Sequence, residues 1–89
     1  MPSGISVILN VVVQSQQLEK VTTALDKFTE VVDLFEVTGE YDLVAIIQTE
    51  SISAFRKLTH KILRVDGIKG TNSMIIIHTL KRNGKTITE

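Results

Sequence analysis

Apolar side chains alternate from Ile5 to Val13, with Ile5, Val7, Leu9, Val11 and Val13 on one side and Ser6, Ile8, Asn10 and Val12 on the other. A period of two through a β-branched run predicts a strand. Gln14-Ser15 breaks the alternation, and Ser15 is placed to cap a helix. Leu18, Val21, Leu25 and Phe28 then recur at helical spacing beside Ala24, while Glu19, Lys20, Asp26 and Lys27 take the other side. That spacing predicts an amphipathic helix of about fourteen residues. Val31 to Val37 and Leu43 to Thr49 predict two further strands, close enough in sequence to form an antiparallel hairpin. Ser51 or Glu50 opens a second helix, with Ile52, Phe55, Leu58 and Ile62 along its apolar side. Asp66-Gly67-Ile68-Lys69-Gly70 ends it, Gly67 being suited to the left-handed turn. Thr71 to Leu80 predicts the fourth strand. Asn83-Gly84 signals a type I′ turn, so the segment 81–89 is expected to form a hairpin with Thr86-Ile87-Thr88 returning.

The order strand, helix, strand, strand, helix, strand predicts an α+β, ferredoxin-like βαββαβ sandwich: a four-stranded antiparallel sheet with both helices on one face. Residues 1–89 read as a single domain. Two helices cover one face, so a monomer should be polar on the other. Here Ile8, Val12, Val44, Ile46, Ile75 and Ile77 are assigned to that second face, which is therefore apolar too. Covering six such side chains is worth on the order of 10 kcal/mol before association costs. The simplest cover is a second copy, sheet to sheet about a two-fold axis, and these six residues are the expected dimer interface.

Composition narrows the function. At 43% hydrophobic with mean hydropathy +0.18, the chain is able to build a core. Ten basic residues balance ten acidic ones, which argues against direct nucleic-acid binding. No run reaches the ~18 apolar residues of a membrane span, and Met1-Pro2-Ser3-Gly4 lacks signal-peptide features, so the expected location is cytoplasmic. There is no cysteine; His60 and His78 are isolated and show no metal-ligand spacing. The glycines form no phosphate-binding pattern. Neither a metal nor a cofactor is expected, and the chain does not read as an enzyme.

Thr38-Gly39-Glu40-Tyr41-Asp42, between the second and third strands, is the densest polar set in the chain. A glycine-bearing bend presents backbone N–H groups to a carboxylate, while Glu40 or Asp42 offers a partner for an ammonium. Those are the two handles of a free amino acid. An ordinary polar turn is the alternative reading of the same residues.

This run continues into Leu43, and Thr38 to Leu43 closely resembles the T-G-x-Y-D-L pattern of the Lrp/AsnC family effector domain, often called RAM. Val65-Asp66-Gly67-Ile68-Lys69-Gly70-Thr71 resembles that family's turn before the last strand, with Asp66 where proline is usual. Glu30-Val31 is a second departure, since Thr29 stands where many members have proline. The resemblance covers nearly the whole chain and implies a stand-alone form without the helix-turn-helix domain. It implies a homodimer, often assembled into an octamer as a ring of four dimers, with an amino-acid effector bound between dimers. By motif match, Thr38, Gly39, Glu40, Tyr41 and Asp42 line one side of that site, and Thr71, Asn72 and Ser73 are assigned to the other. Asp42 is expected to hold the ammonium, and Thr38 or Ser73 the carboxylate. The module is then a small-molecule sensor acting on transcription indirectly. Alternatively, it forms mixed oligomers with full-length Lrp/AsnC regulators without a ligand of its own. A small dimeric α/β-barrel enzyme is the third reading, on fold analogy alone.

Overall fold

The computed structural model of the chain describes residues 4–88. Its elements are β1 (Ile5–Val13), α1 (Leu18–Asp26), β2 (Val31–Glu36), β3 (Leu43–Thr49), α2 (Ile52–Ile62) and β4 (Ile68–Ile76), followed by the two-residue strands β5 (Lys81–Arg82) and β6 (Lys85–Thr86). The first four strands make one antiparallel sheet in the order β2-β3-β1-β4. This is the expected ferredoxin-like arrangement, with β2 and β4 as its edges. Among the described residues no helix is long and apolar enough to cross a membrane.

One face of the sheet is the core. Val7, Leu9 and Val11 of β1 and Leu43, Ala45 and Ile47 of β3 are buried there, against Val21 and Leu25 of α1 and Phe55, Leu58 and Ile62 of α2. The odd-numbered positions of both central strands thus point at the helices, as a period of two requires. Ser51 caps α2, its Oγ accepting the Ala54 N–H at 3.0 Å.

α1 starts later than expected and is nine residues long. Ser15 is not its cap. The Gln14 N–H donates to the Gly67 carbonyl at 2.7 Å, and the Gln17 N–H donates back to the Gln14 carbonyl at 3.0 Å. Gln16 takes φ +68° to close that turn, so the helix cannot begin before Leu18. A long-range contact to the turn before β4 therefore overrides the local capping signal.

β4 is also displaced from its expected Thr71–Leu80 range. Lys69 and Gly70 join the ladder through a bulge, with Val12 opposite Gly70 and Val13 opposite Ile68. At the other end Ile76 pairs with Ser6, one residue from the start of β1, so residues 77–80 have no strand to pair with. They lead into the β5–β6 hairpin, whose Asn83 and Gly84 both take positive φ, as a type I′ turn needs.

Register corrects the apolar second face. Ile75 lies opposite Val7 and so belongs to the helix side; Ile77 lies beyond β4 and is 94% exposed. Met74, opposite Ile8, and Ile76 take the places expected for them, and Phe35 of β2 joins beside Val44. The open face thus carries Ile8, Val12, Val44, Ile46, Phe35, Met74 and Ile76, and it is no less apolar than expected. The alternation in β4 is unbroken, but no sequence signal tells which of its two apolar sets faces the helices.

α1 is tied to the turn before β4 by a Lys20–Asp66 ion pair at 2.6 Å. The Lys20 ammonium, through its hydrogen bond first and its charge second, holds the Asp66 carboxyl below its ordinary value near 3.8. A depressed folded-state pKa stabilises above the unfolded value and ceases to do so as pH falls through the folded one. Thermal melts should therefore place wild type above Asp66→Asn at pH 6, with the two curves merging towards pH 2. Both side chains are well exposed, so the gap should also narrow in high salt.

Candidate functional site

The polar bend hangs from the end of the sheet where β1 finishes. Three bonds fix it there. The Asp42 N–H donates to the Val11 carbonyl at 2.9 Å, the Val37 N–H donates to the Asp42 carbonyl at 3.0 Å, and Asp42 Oδ2 accepts the Val13 N–H at 2.7 Å. The last bond has a clear origin: β1's pairing with β3 stops at Val11 opposite Leu43, and the carboxylate takes up the Val13 N–H beyond that last pair.

Asp42 therefore carries a structural duty that the sequence did not reveal. One carboxylate oxygen is committed to the backbone, which leaves Oδ1 for any ligand. Thr38, Gly39 and Glu40 are exposed and Tyr41 is half-buried. Gly39 takes φ +108°, with nothing within 4 Å of where a Cβ would stand. The glycine is thus needed for the bend's conformation and leaves open space beside it.

The second group of expected site residues falls at the same end of the sheet, on the far side of β1. Val11 pairs with Leu43 on one flank and Thr71 on the other, so the two groups stand about 10 Å apart, two inter-strand spacings. Register also divides the second group. Thr71 and Ser73 share the helix side with Val11 and Leu9, whereas Asn72 is opposite Asn10 on the open face. There the Asn10 Nδ2 approaches Asn72 Oδ1 at 3.5 Å. Within one chain, then, the eight residues share an end of the sheet without converging on one point.

A small cleft of about 170 Å³ does adjoin the bend, and it is lined by Val13, Gln14, Ser15, Gln16, Leu18, Glu36, Val37 and Asp42. Its lining includes Gln14, Ser15 and Gln16, of which the sequence pattern had marked Ser15 as a helix cap. A run of four uncharged polar residues directly after a strand was the available signal. A larger cleft, about 870 Å³, lies at the opposite end of the sheet, around Gly4, Glu30, Gln48, Glu50 and Ser51, and shares no residue with the bend. Among the described residues no group of three metal-ligating side chains occurs.

Residues 6–86 match the sequence model of the Lrp/AsnC ligand binding domain. The HTH-type transcriptional regulator FL11 of Pyrococcus horikoshii is 32% identical over 69 residues, which are 78% of this chain and 46% of that protein. The chain thus spans about half the length of the curated relatives it matches. Among solved structures, the transcriptional regulator NMB0573 of Neisseria meningitidis in complex with L-Met superposes with TM-score 0.84 at 20% identity, over 90% of this chain and 54% of that one. TTHA0845 from Thermus thermophilus superposes with TM-score 0.82 at 22% identity, over 88% of this chain and 99% of that one.

Proposed function

Since the chain belongs to the Lrp/AsnC ligand-binding domain family, we propose that it binds a small effector, an amino acid, and couples that binding to its own assembly. The observation that carries this reading is the bend itself. It is anchored at Val37 and Asp42 by three hydrogen bonds, while Thr38, Gly39 and Glu40 stand in solvent with side chains that meet no hydrogen-bond partner among the described residues. Such a rigid, half-built surface suits a ligand enclosed by a neighbouring copy. The L-Met complex of NMB0573, a protein of the same fold, supports an amino acid as the ligand class. Coupling follows if the effector binds one assembly state more tightly than another.

The apolar open face supplies the assembly surface. A homodimer packed through it is the unit we propose, with higher rings formed where bends of neighbouring dimers meet. The likeness to relatives such as the regulator FL11 also supports mixed oligomers with full-length regulators. Regulation of transcription would then be indirect, with no nucleic acid bound by these residues and no chemistry performed.

A thermal-shift panel of the twenty amino acids tests the reading. A ligand at a hundred times its Kd should stabilise by about 2.7 kcal/mol, giving a rise of several degrees in a domain of this size. Thr38→Ala and Glu40→Gln should abolish the shift and leave the unliganded melt in place. Asp42→Ala is a poorer probe, because orphaning the Val13 N–H should itself cost about 1–3 kcal/mol. Twenty flat curves on a stable oligomer would instead favour the mixed-oligomer reading.

A further inference from the structure

Charge is balanced over the whole chain but divided within it. Six of the ten acidic residues fall in 28–55, a stretch without Lys or Arg. Eight of the ten basic residues fall in 56–88, where Asp66 is the one acid. The fold converts that division into geometry. The acidic stretch contains β2 and the basic stretch contains β4, and these are the two opposite edges of the sheet. The β2 edge is acidic through Asp33 and Glu36, with Glu30 just before it, whereas β4 holds only Lys69 and the basic charge beyond it lies in Lys81, Arg82 and Lys85.

β4 continues into a basic arm. Residues 77–88 leave the sheet after Ile76, and the hairpin is held by pairs between Lys81 and Thr86 and between Arg82 and Lys85, with an Ile87 N–H to Leu80 carbonyl bond behind them. Leu80 is 70% exposed. The radius of gyration, 13.8 Å against about 12 Å for a compact chain of this length, records the projection. A two-stranded hairpin of this size is marginal without a surface to lie on. Among the described residues the Lys20–Asp66 pair is the only ion pair, so Lys81, Arg82 and Lys85 meet no described carboxylate.

We infer that this arm clasps a second copy of the chain, its three basic residues lying against Glu30, Asp33 and Glu50 of that copy. The inference rests on the open-face dimer proposed above and adds its orientation. A two-fold axis along the strands lays β4 of each copy across from β2 of the other. An in-plane axis perpendicular to the strands would put β2 over β2, acid on acid, and leave each arm beside the other copy's β4. Only the first brings each basic arm to an acidic edge, and it does so twice. It also matches the ends: the arm leaves the sheet where β1 starts, and β2 begins and β3 finishes at that same end. Six extended residues from Ile76 to Arg82 span about 20 Å, enough to cross the partner's edge. Strand addition at the β2 edge is disfavoured by its bulge between Val31 and Asp33 and by its charges.

Charge reversal with rescue tests the clasp in ligand-free protein by sedimentation velocity. Lys81→Glu with Arg82→Glu and Lys85→Glu reverses the arm; Glu30→Lys with Asp33→Lys reverses the edge. Each variant alone should dimerise about tenfold or more weakly than wild type at low salt, and lose wild type's weakening with added salt. Mixed one to one, the two variants should recover tight dimers, because both clasps of the heterodimer are then complementary. Unchanged dissociation constants for both variants would overturn the clasp while leaving the open-face dimer and effector binding standing. Rescue that yields growing chains rather than dimers would also overturn it, in favour of edge-to-edge addition. A wild type that is monomeric throughout would sink the clasp and the dimer together.

Discussion

Ile8→Glu is expected to turn the proposed dimer into a folded monomer. Ile8 stands on β1 at the middle of the open face, between Ile46 of β3 and Met74 of β4. Each buried aliphatic of this size contributes roughly 1.5–3 kcal/mol, and two-fold symmetry counts the loss once per copy. The introduced carboxylates would in addition be desolvated next to apolar neighbours. The dissociation constant should rise at least about a hundredfold. Sedimentation at micromolar concentration should show a 9.9 kDa species with an unchanged far-ultraviolet spectrum. Met74→Glu should weaken the dimer in the same direction, whereas Ile75→Glu, on the helix side, should leave the dissociation constant close to that of wild type. An Ile8→Glu protein as dimeric as wild type would remove the open face as the assembly surface.

Gly67→Ala should cause a large loss of stability. Gly67 takes φ +103°, and a Cβ there would meet Val21 Cγ2 at 2.8 Å and Gln17 Cβ at 3.0 Å. Val21 is fully buried in the core and cannot retreat. Positive φ costs a residue with a Cβ roughly 1–2 kcal/mol, and overpacking adds about 1–3 kcal/mol. The melting temperature should fall by about 10 °C or more. Gly39→Ala provides the control, since Gly39 also takes positive φ but has open space around it. It should show only the smaller, conformational part of the effect. If the two substitutions destabilise equally, close packing at Gly67 is not what requires the glycine.

These outcomes bear on different parts of one arrangement. The Gly67 turn holds the Gln14 N–H and presses on α1, so it fixes where β1 ends and where the helix begins. The end of β1 in turn supplies the Val13 N–H that Asp42 grips. Loosening Gly67 should therefore reach the bend through the backbone, without touching a residue of the proposed effector site.

Much of this was legible along the chain. Periodicity alone placed β1 and β3 at their observed bounds, because both are central strands whose buried set alternates without interruption. Ser51 was legible as a cap because its bond to Ala54 is local. Asn83-Gly84 was legible as a turn because its conformation is a property of those two residues. The bend from Thr38 to Asp42 stood out because polar residues crowd between apolar strands.

What only the tertiary structure decided are the features set by partners distant in sequence. The Gln14–Gly67 bond moved the start of α1, and the bulge opposite Lys69 moved the start of β4. Pairing of Ile75 with Val7 chose the face of the last strand, a choice that a pattern apolar on both sides leaves degenerate. Asp42 acquired its backbone duty where β1 runs on past its last pair with β3. Local conformation and burial period are written in neighbouring residues, so the elements could be read in order. Register, edge charge and the distance between the two halves of the site arise from pairing across the sheet, and a linear pattern does not contain them.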